Sequence, residues 1–334
     1  MKNDFQNSSH WSNQEESIKT NRPILLMLIL IKIFPNWIVN ALVYPISFFF
    51  YLGAARARKE IRRFQKNLRE YTNNQFPKKL SEYKPIFSFS LCLVERIEGW
   101  VGKINEKNLI FQNDDFEEYK RILVEEKKGI FVFGSHLGNL DLLRSLSTVC
   151  RVGVDIQIPV TVIMEIKTSE NFSNTLKKVN PDYEFTAIDP KDIGPETVIE
   201  LQEKLSRGEV VVVTGDRTSA HSKNRFIRKD FLGKKANFPY GVFLLAALVK
   251  APVFYIFGAR KNLDALCPKN NVHVEKSEIE FLEKDDRKTR NKKIDDLCQE
   301  FAGKLEKFAC MYPYQWYNFF DFWNDGSEEK SIEK

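Results

Sequence analysis

The sequence predicts an α/β domain with a mostly parallel central sheet flanked by helices, preceded by an N-terminal helical module that meets a membrane. Three observations lead there. After residue 84, short β-rich runs alternate with amphipathic helical stretches, the pattern of parallel strands joined by helical crossovers. Before it, one long apolar segment crowds the N-terminal region. A dense run of positive charge follows that segment directly. The chain accordingly divides into residues 1–84, a tail with an apolar and a basic helix, and residues 85–325, the α/β domain.

Residues 1–22 are polar and neutral, with Lys2, Lys19 and Arg22 balancing Asp4, Glu15 and Glu16. The apolar segment runs from Ile24 to about Leu52, too late and with too acidic a lead-in for an ordinary secretory signal. Lys32, Pro35, Asn36, Asn40 and Pro45 interrupt it, so its unbroken runs fall short of the roughly 20 residues a spanning helix needs. A kinked single span near 33–53, a broken hairpin lying in the interface and a buried helix of a soluble core all fit that pattern. Trp37, Tyr44 and Tyr51 are aromatics of the kind that sit among headgroups. From Arg56 to Lys84, ten cations face three carboxylates, a net of +7 suited to an anionic membrane surface. If the apolar segment spans, this excess puts residues 56 onward in the cytoplasm.

In the body of the chain, strands are expected at 129–134, 154–164, 183–188, 209–215 and 252–258. Helices are expected at 115–127, 140–150, 169–179, 194–207 and 240–250, with a long charged helix over 284–307. The 334 residues are 43% hydrophobic and 29% charged, which provides a core without disulfides and excludes disordered, collagenous and polytopic membrane classes. Five scattered cysteines with no CxxC pair fit reduced, buried thiols better than a disulfide framework or a zinc site.

Four histidines are present, and His136 draws attention because Asp141 follows five residues later. A carboxylate that fixes the imidazole tautomer is the usual way to make a general base near neutral pH. Spacing alone does not single it out, since His10–Glu15 and His273–Glu278 share it. Context does. His10 lies in the polar tail and His273 in an exposed-looking charged strand. His136 ends an apolar strand and is followed by Gly138-Asn139 and a helix carrying Asp141, where ligands of α/β sheets gather. A second apolar strand delivers Gly215-Asp216-Arg217 to the same edge. Arg217 opens a basic stretch with Lys223, Arg225, Arg228, Lys229, Lys234 and Lys235, suited to a phosphate or an acidic carrier. Phe231, Leu232 and Phe238 interleave with that charge, which favours an amphipathic ligand. No recognition-helix or zinc signature accompanies it, so nucleic acid is not an expected partner.

His136-X4-Asp141, Gly215-Asp216-Arg217, the run FLGKKANFPYG at 231–241 and Ala251-Pro252-Val253 stand in the order found in the lysophospholipid acyltransferase superfamily. More narrowly, the chain resembles the bacterial lipid A late-acyltransferase branch and its predicted glycolipid-acyltransferase relatives. Those relatives share a Trp-Ser/Ala-X-X-X-Glu start, matched by Trp11 to Glu16, and an aromatic ending like residues 313–320. The lipid A enzymes tend to carry an aromatic–Glu pair where this chain has Leu140-Asp141, so the motif here follows the wider superfamily.

The resemblance implies transfer of a fatty acyl chain from an acyl carrier protein or coenzyme A thioester to a hydroxyl or amine of a lipid or glycolipid. His136 would take the acceptor proton and Asp141 would orient His136. Arg217, with Arg225 and Arg228, would hold a phosphate of donor or acceptor. Asn139 and neighbouring backbone N–H groups would steady the oxyanion. No metal or resident cofactor is expected, and the place of action would be the cytoplasmic side of a bacterial inner membrane. The competing reading is a non-catalytic lipid- or carrier-binding protein on the same fold. The aromatic run at 312–323 has three open roles: anchoring in the interface, lining an acyl tunnel, or packing over the fold.

Overall fold

The computed structural model describes residues 22–76, 80–101, 103–104, 106–112, 115–139, 158–164, 186–217 and 225–323. Nine strands are present among them. β1 (Leu109–Phe111), β2 (Ile130–Gly134), β3 (Val160–Ile163), β4 (Thr186–Ile188), β5 (Val210–Thr214), β8 (Val253–Arg260) and β9 (Asn270–Lys276) form one sheet in the order β1-β9-β8-β2-β5-β3-β4. Every neighbouring pair is parallel except β8 with β9. β6 (Phe226–Phe231) and β7 (Lys234–Pro239) form a separate antiparallel hairpin. Its two-residue turn, Leu232-Gly233, takes positive φ at both positions, the handedness that matches strand twist.

The sheet is parallel because its strands are apolar on both faces and are joined by helices. Alternation along each strand sends Phe131, Phe133, Val211, Val213, Tyr255 and Phe257 to one core. There they meet α6 (Pro195–Ser206), α7 (Tyr240–Val249) and α8 (Arg287–Met311). Ile130, Val132, Val210, Val212, Phe254 and Ile256 go to the other face, under α5 (Asp115–Lys120) and the π turn Arg121–Glu125 that extends it. Asp286 caps α8 by accepting from the Thr289 N–H at 2.7 Å.

Four strands fall inside the expected ranges, and β8 starts within its range and runs two residues past it. The helices expected at 140–150 and 169–179 lie outside the described residues. Of the remaining strands, β1 is three residues long, and β9, expected as an exposed-looking charged strand around His273, is mostly buried. His273 is 6% exposed, not surface-lying as its charged surroundings suggest. The Tyr312 hydroxyl lies 2.8 Å from its Nε2, and Lys304 and Lys307 neutralise the neighbouring Glu275.

At the N-terminal end, α1 (Arg22–Ile33) and α2 (Asn36–Gly53) are separated at Phe34-Pro35; Pro35 is the extended residue that starts α2. α2 is the one described helix long and apolar enough to cross a membrane. One side of it, Val39, Asn40, Val43 and Ser47, is buried against α4 (Tyr83–Trp100), together with Phe87, Leu91 and Val94. Trp37, Phe49 and, near the helix end, Phe50 are exposed, and α1 adds Leu26, Ile29 and Ile33. α3 (Ala55–Tyr71) is amphipathic: Phe64 and Leu68 enter the main core, while Arg56, Lys59, Arg62 and Lys66 face outward.

Candidate active site

β2 and β5 lie side by side in parallel, with Gly134 opposite Thr214. His136 and Asp216 each stand two residues beyond that pair, so the register brings them together at the carboxyl edge of the sheet, where ligands of open α/β sheets bind. His136 Nδ1 lies 2.8 Å from Asp216 Oδ1, and the His136 backbone N–H donates to Oδ2 at 2.8 Å. Trp316 Nε1–H donates to the same Oδ2 at 3.2 Å. Asp216 is fully enclosed, with 1% of its side chain exposed, whereas His136 keeps 28% open. The imidazole is therefore gripped on one nitrogen and partly open to solvent.

Burial alone would raise the Asp216 carboxyl. The adjoining imidazole, the hydrogen bonds from His136 and the Arg217 guanidinium outweigh it and hold the acid below its ordinary range. An ionised carboxylate only accepts, so Nδ1 carries the proton and Nε2 keeps its lone pair. Burial, followed by the positive charge of Arg217, lowers the His136 pKa against the pull of Asp216. The ring is thus a neutral base at pH 7, with its accepting nitrogen turned away from Asp216.

A C-terminal strap locks the loop after β2. The Gly138 N–H donates to Gln315 O at 2.7 Å and the Tyr317 N–H to His136 O at 2.8 Å, with Leu137 bridged to Trp316. Gln315 also pairs with both backbone groups of Arg260, accepting from its N–H and donating to its carbonyl at 2.8 Å each. Gly138 has φ +67°, and a Cβ there would fall on the Gly258 carbonyl, so this position admits only glycine. The aromatic run therefore packs in part over the fold: Trp316, Tyr317 and Phe322 are buried, and Trp316 contacts both Phe64 of α3 and Phe231 of the hairpin.

The residues expected at the site are distributed as follows. Arg217 joins it, donating from Nη2 to Tyr317 O at 3.0 Å and lying 5.7 Å from the centre of the Phe320 ring. Asn139 sits on the same loop, but its N–H donates to Gly258 O and its side-chain amide faces Glu95 at 3.4 Å. The other loop N–H groups are also occupied: Leu137 donates to Ser135 Oγ at 3.1 Å, in addition to the His136 and Gly138 bonds above. Arg225 and Arg228 stand on the hairpin, about 20 and 10 Å along the strand from the Phe231 end that meets Trp316. Other cations of that stretch are already paired, Lys229 with Asp295, Lys234 with Glu70 and Lys235 with Asp230. Asp141 lies outside the described residues.

Two participants were not assigned from sequence. The sequence marks Asp216 only as part of the Gly-Asp-Arg run and Trp316 only as one of many aromatics. The available signal was positional: the expected strands end two residues before His136 and one before Asp216. A buried network supports the loop from below. Arg260 Nε donates to Glu95 Oε1 at 2.5 Å and Nη2 to Asn40 Oδ1 at 3.2 Å, tying β8, α4 and α2 into one frame. Among the described residues, no group of three or more His, Cys, Asp or Glu side chains is arranged to hold a metal ion. No family model and no curated protein matches the chain.

Proposed function

We propose that the protein is a membrane-associated acyltransferase that moves a fatty acyl chain from a thioester donor to a hydroxyl or amine of a lipid or glycolipid. The observation that carries this reading is the His136–Asp216 pair, a neutral imidazole held on Nδ1 by a buried carboxylate at the carboxyl edge of a parallel sheet. In the proposed reaction, Nε2 accepts the acceptor's proton as its oxygen or nitrogen attacks the thioester carbonyl. The tetrahedral intermediate then expels the thiolate, which takes the same proton back from His136. Asp216 stays ionised and stabilises the imidazolium between the two transfers. Arg217 holds an anionic group of donor or acceptor, and Asp216 takes the orienting role that the family resemblance assigns to Asp141. Acyl carrier protein and coenzyme A are both anionic donors that suit Arg217 and the basic surface.

The membrane part of the proposal rests on the exposed apolar side of α1 and α2 and the cationic outer face of α3 beside it. The buried side of α2 is pinned to the α/β domain: Asn40 Nδ2 donates to Leu266 O at 2.9 Å and its Oδ1 accepts from Arg260. A helix fastened to the domain near its start and buried along one side fits a broken hairpin lying in the interface better than a free span. The proposed location is the inner face of a bacterial cytoplasmic membrane.

The test is thiol release and acyl transfer from a long-chain acyl-coenzyme A to lipids in vesicles containing the purified chain. Replacing His136 by Ala is expected to abolish transfer while leaving vesicle binding intact. Full activity in His136→Ala would overturn the mechanism.

A further inference from the structure

The four N–H groups of residues 136–139 are all consumed within the protein, by Asp216, Ser135, Gln315 and Gly258. The loop that presents the base therefore offers none of them to the oxygen that becomes negative when a thioester is attacked. That charge needs a donor from elsewhere, since such donors commonly supply one of the largest single stabilisations in acyl transfer.

The strap contains a group with no other explanation. Asn318 is 5% exposed, and its Nδ2 and Oδ1 both lack a hydrogen-bond partner. Among the described residues it is the only one with two unpartnered buried side-chain atoms. Each such group costs about 1–3 kcal/mol when buried without a partner, so an amide kept in that state calls for a reason.

Its place in the chain supplies one. The preceding Tyr317 gives its N–H to the His136 carbonyl at 2.8 Å and its own carbonyl to Arg217 at 3.0 Å. Chain geometry then keeps the Asn318 Cα within about 8 Å of the His136 carbonyl oxygen. Trp316 turns its side chain to Asp216 and Tyr317 turns its ring the other way, to Ser88 on α4. Phe319 turns its ring to Phe89 of α4 as Tyr317 does, so Asn318 between them lies on the side that Trp316 takes.

We propose that Asn318 is the hydrogen-bond donor that Nδ2–H presents to the reacting carbonyl oxygen of the substrate, beside the anion held by Arg217. The inference rests on the acyl-transfer reading and extends it by a residue that touches substrate. It balances as simple polarisation. The carbonyl π pair moves onto the oxygen as the acceptor bonds to carbon, Nδ2–H stabilises that oxygen without transferring its proton, and the pair returns as the thiolate leaves.

The experiment compares wild type, His136→Ala, Asn318→Asp and Asn318→Leu as full chains in vesicles, with long-chain acyl-coenzyme A as donor and thermal unfolding measured alongside. The first pair tests the parent reading: wild-type turnover no greater than that of His136→Ala overturns acyl transfer and this assignment with it. Where wild type turns over, both Asn318 variants should lose about 100- to 1000-fold in kcat, with the donor KM within about threefold of wild type. Asn318→Leu should unfold no earlier than wild type, because it removes an unsatisfied amide. A kcat within about threefold of wild type, or a loss confined to KM, overturns the assignment and leaves the parent reading standing. Should Asn318→Leu fail to fold, the near-isosteric Asn318→Asp carries the comparison. Failure of both to fold assigns the amide a structural role and also overturns it.

Discussion

Asp216→Asn alters three hydrogen bonds through a change of one atom. The native carboxylate accepts from the His136 N–H and Trp316 Nε1 through Oδ2 and faces Nδ1 through Oδ1. In the variant, the amide oxygen satisfies the two N–H donors best from the Oδ2 position, which turns the NH2 group toward Nδ1. That nitrogen must then accept, the proton moves to Nε2, and the base loses the lone pair it needs. The comparable change in a serine protease triad costs about 10⁴ in kcat, and a loss of about 10³–10⁴ is expected here. Stability should fall by only about 1–2 kcal/mol, the difference between charged and neutral hydrogen bonds at unchanged shape. The assay is kcat for acyl transfer in vesicles, with thermal unfolding as control and Asp141→Asn measured in parallel. Near-wild-type turnover by a folded Asp216→Asn protein would refute the argument. If Asp141→Asn alone then abolished activity, the orienting carboxylate would be the one suggested by family resemblance.

Two further outcomes follow from other parts of the molecule. Glu98 is 2% exposed, and burial, with Glu95 nearby, raises its pKa to about 7. Because the folded state holds this proton more tightly than the unfolded chain, the contribution is complete below about pH 4.5 and is lost as pH rises through 7. Glu98→Gln should thus gain about 3 kcal/mol on wild type between pH 4 and pH 8 in denaturant unfolding; a constant gap contradicts the assignment. Phe49 and Phe50 are 72% and 66% exposed, so replacing both with Ser removes little from the folded core. It should leave thermal stability unchanged yet weaken binding to anionic vesicles about a hundredfold, corresponding to about 3 kcal/mol of lost insertion. Unchanged binding, or full release of wild type by high salt, would transfer the membrane contact to charge alone.

What could be read from sequence follows the range of the interactions involved. Strand and helix positions in the body were legible because periodicity is local: β2, β5 and β8 lie where their apolar runs predict. The pairing of β2 with β5 is not local, and the site depends on it. Asp141 attracted attention because five residues along a chain can be counted, whereas Asp216 stands 80 residues away and becomes a neighbour only through the Gly134–Thr214 register. The same limit hid the burial of β9, whose charges are neutralised by α8 from across the fold, and the strap, whose role depends on backbone bonds to residues 136 and 138. The N-terminal segment was readable as broken at Pro35. That Asn40, read as an interruption, would instead fasten α2 to Arg260 required the tertiary structure.

The central claim is that His136 drives attachment of an acyl chain to a lipid, and lipid mass spectrometry of cells tests it most directly. Cells lacking the gene are compared with cells restored by the wild-type copy and by a His136→Ala copy expressed at equal level in the membrane fraction. A lipid heavier by one acyl chain is expected in the wild-type sample and absent from the other two, with the corresponding lipid lacking that chain accumulating there. Identical lipid profiles in all three, or the same acylated product from His136→Ala, would contradict it.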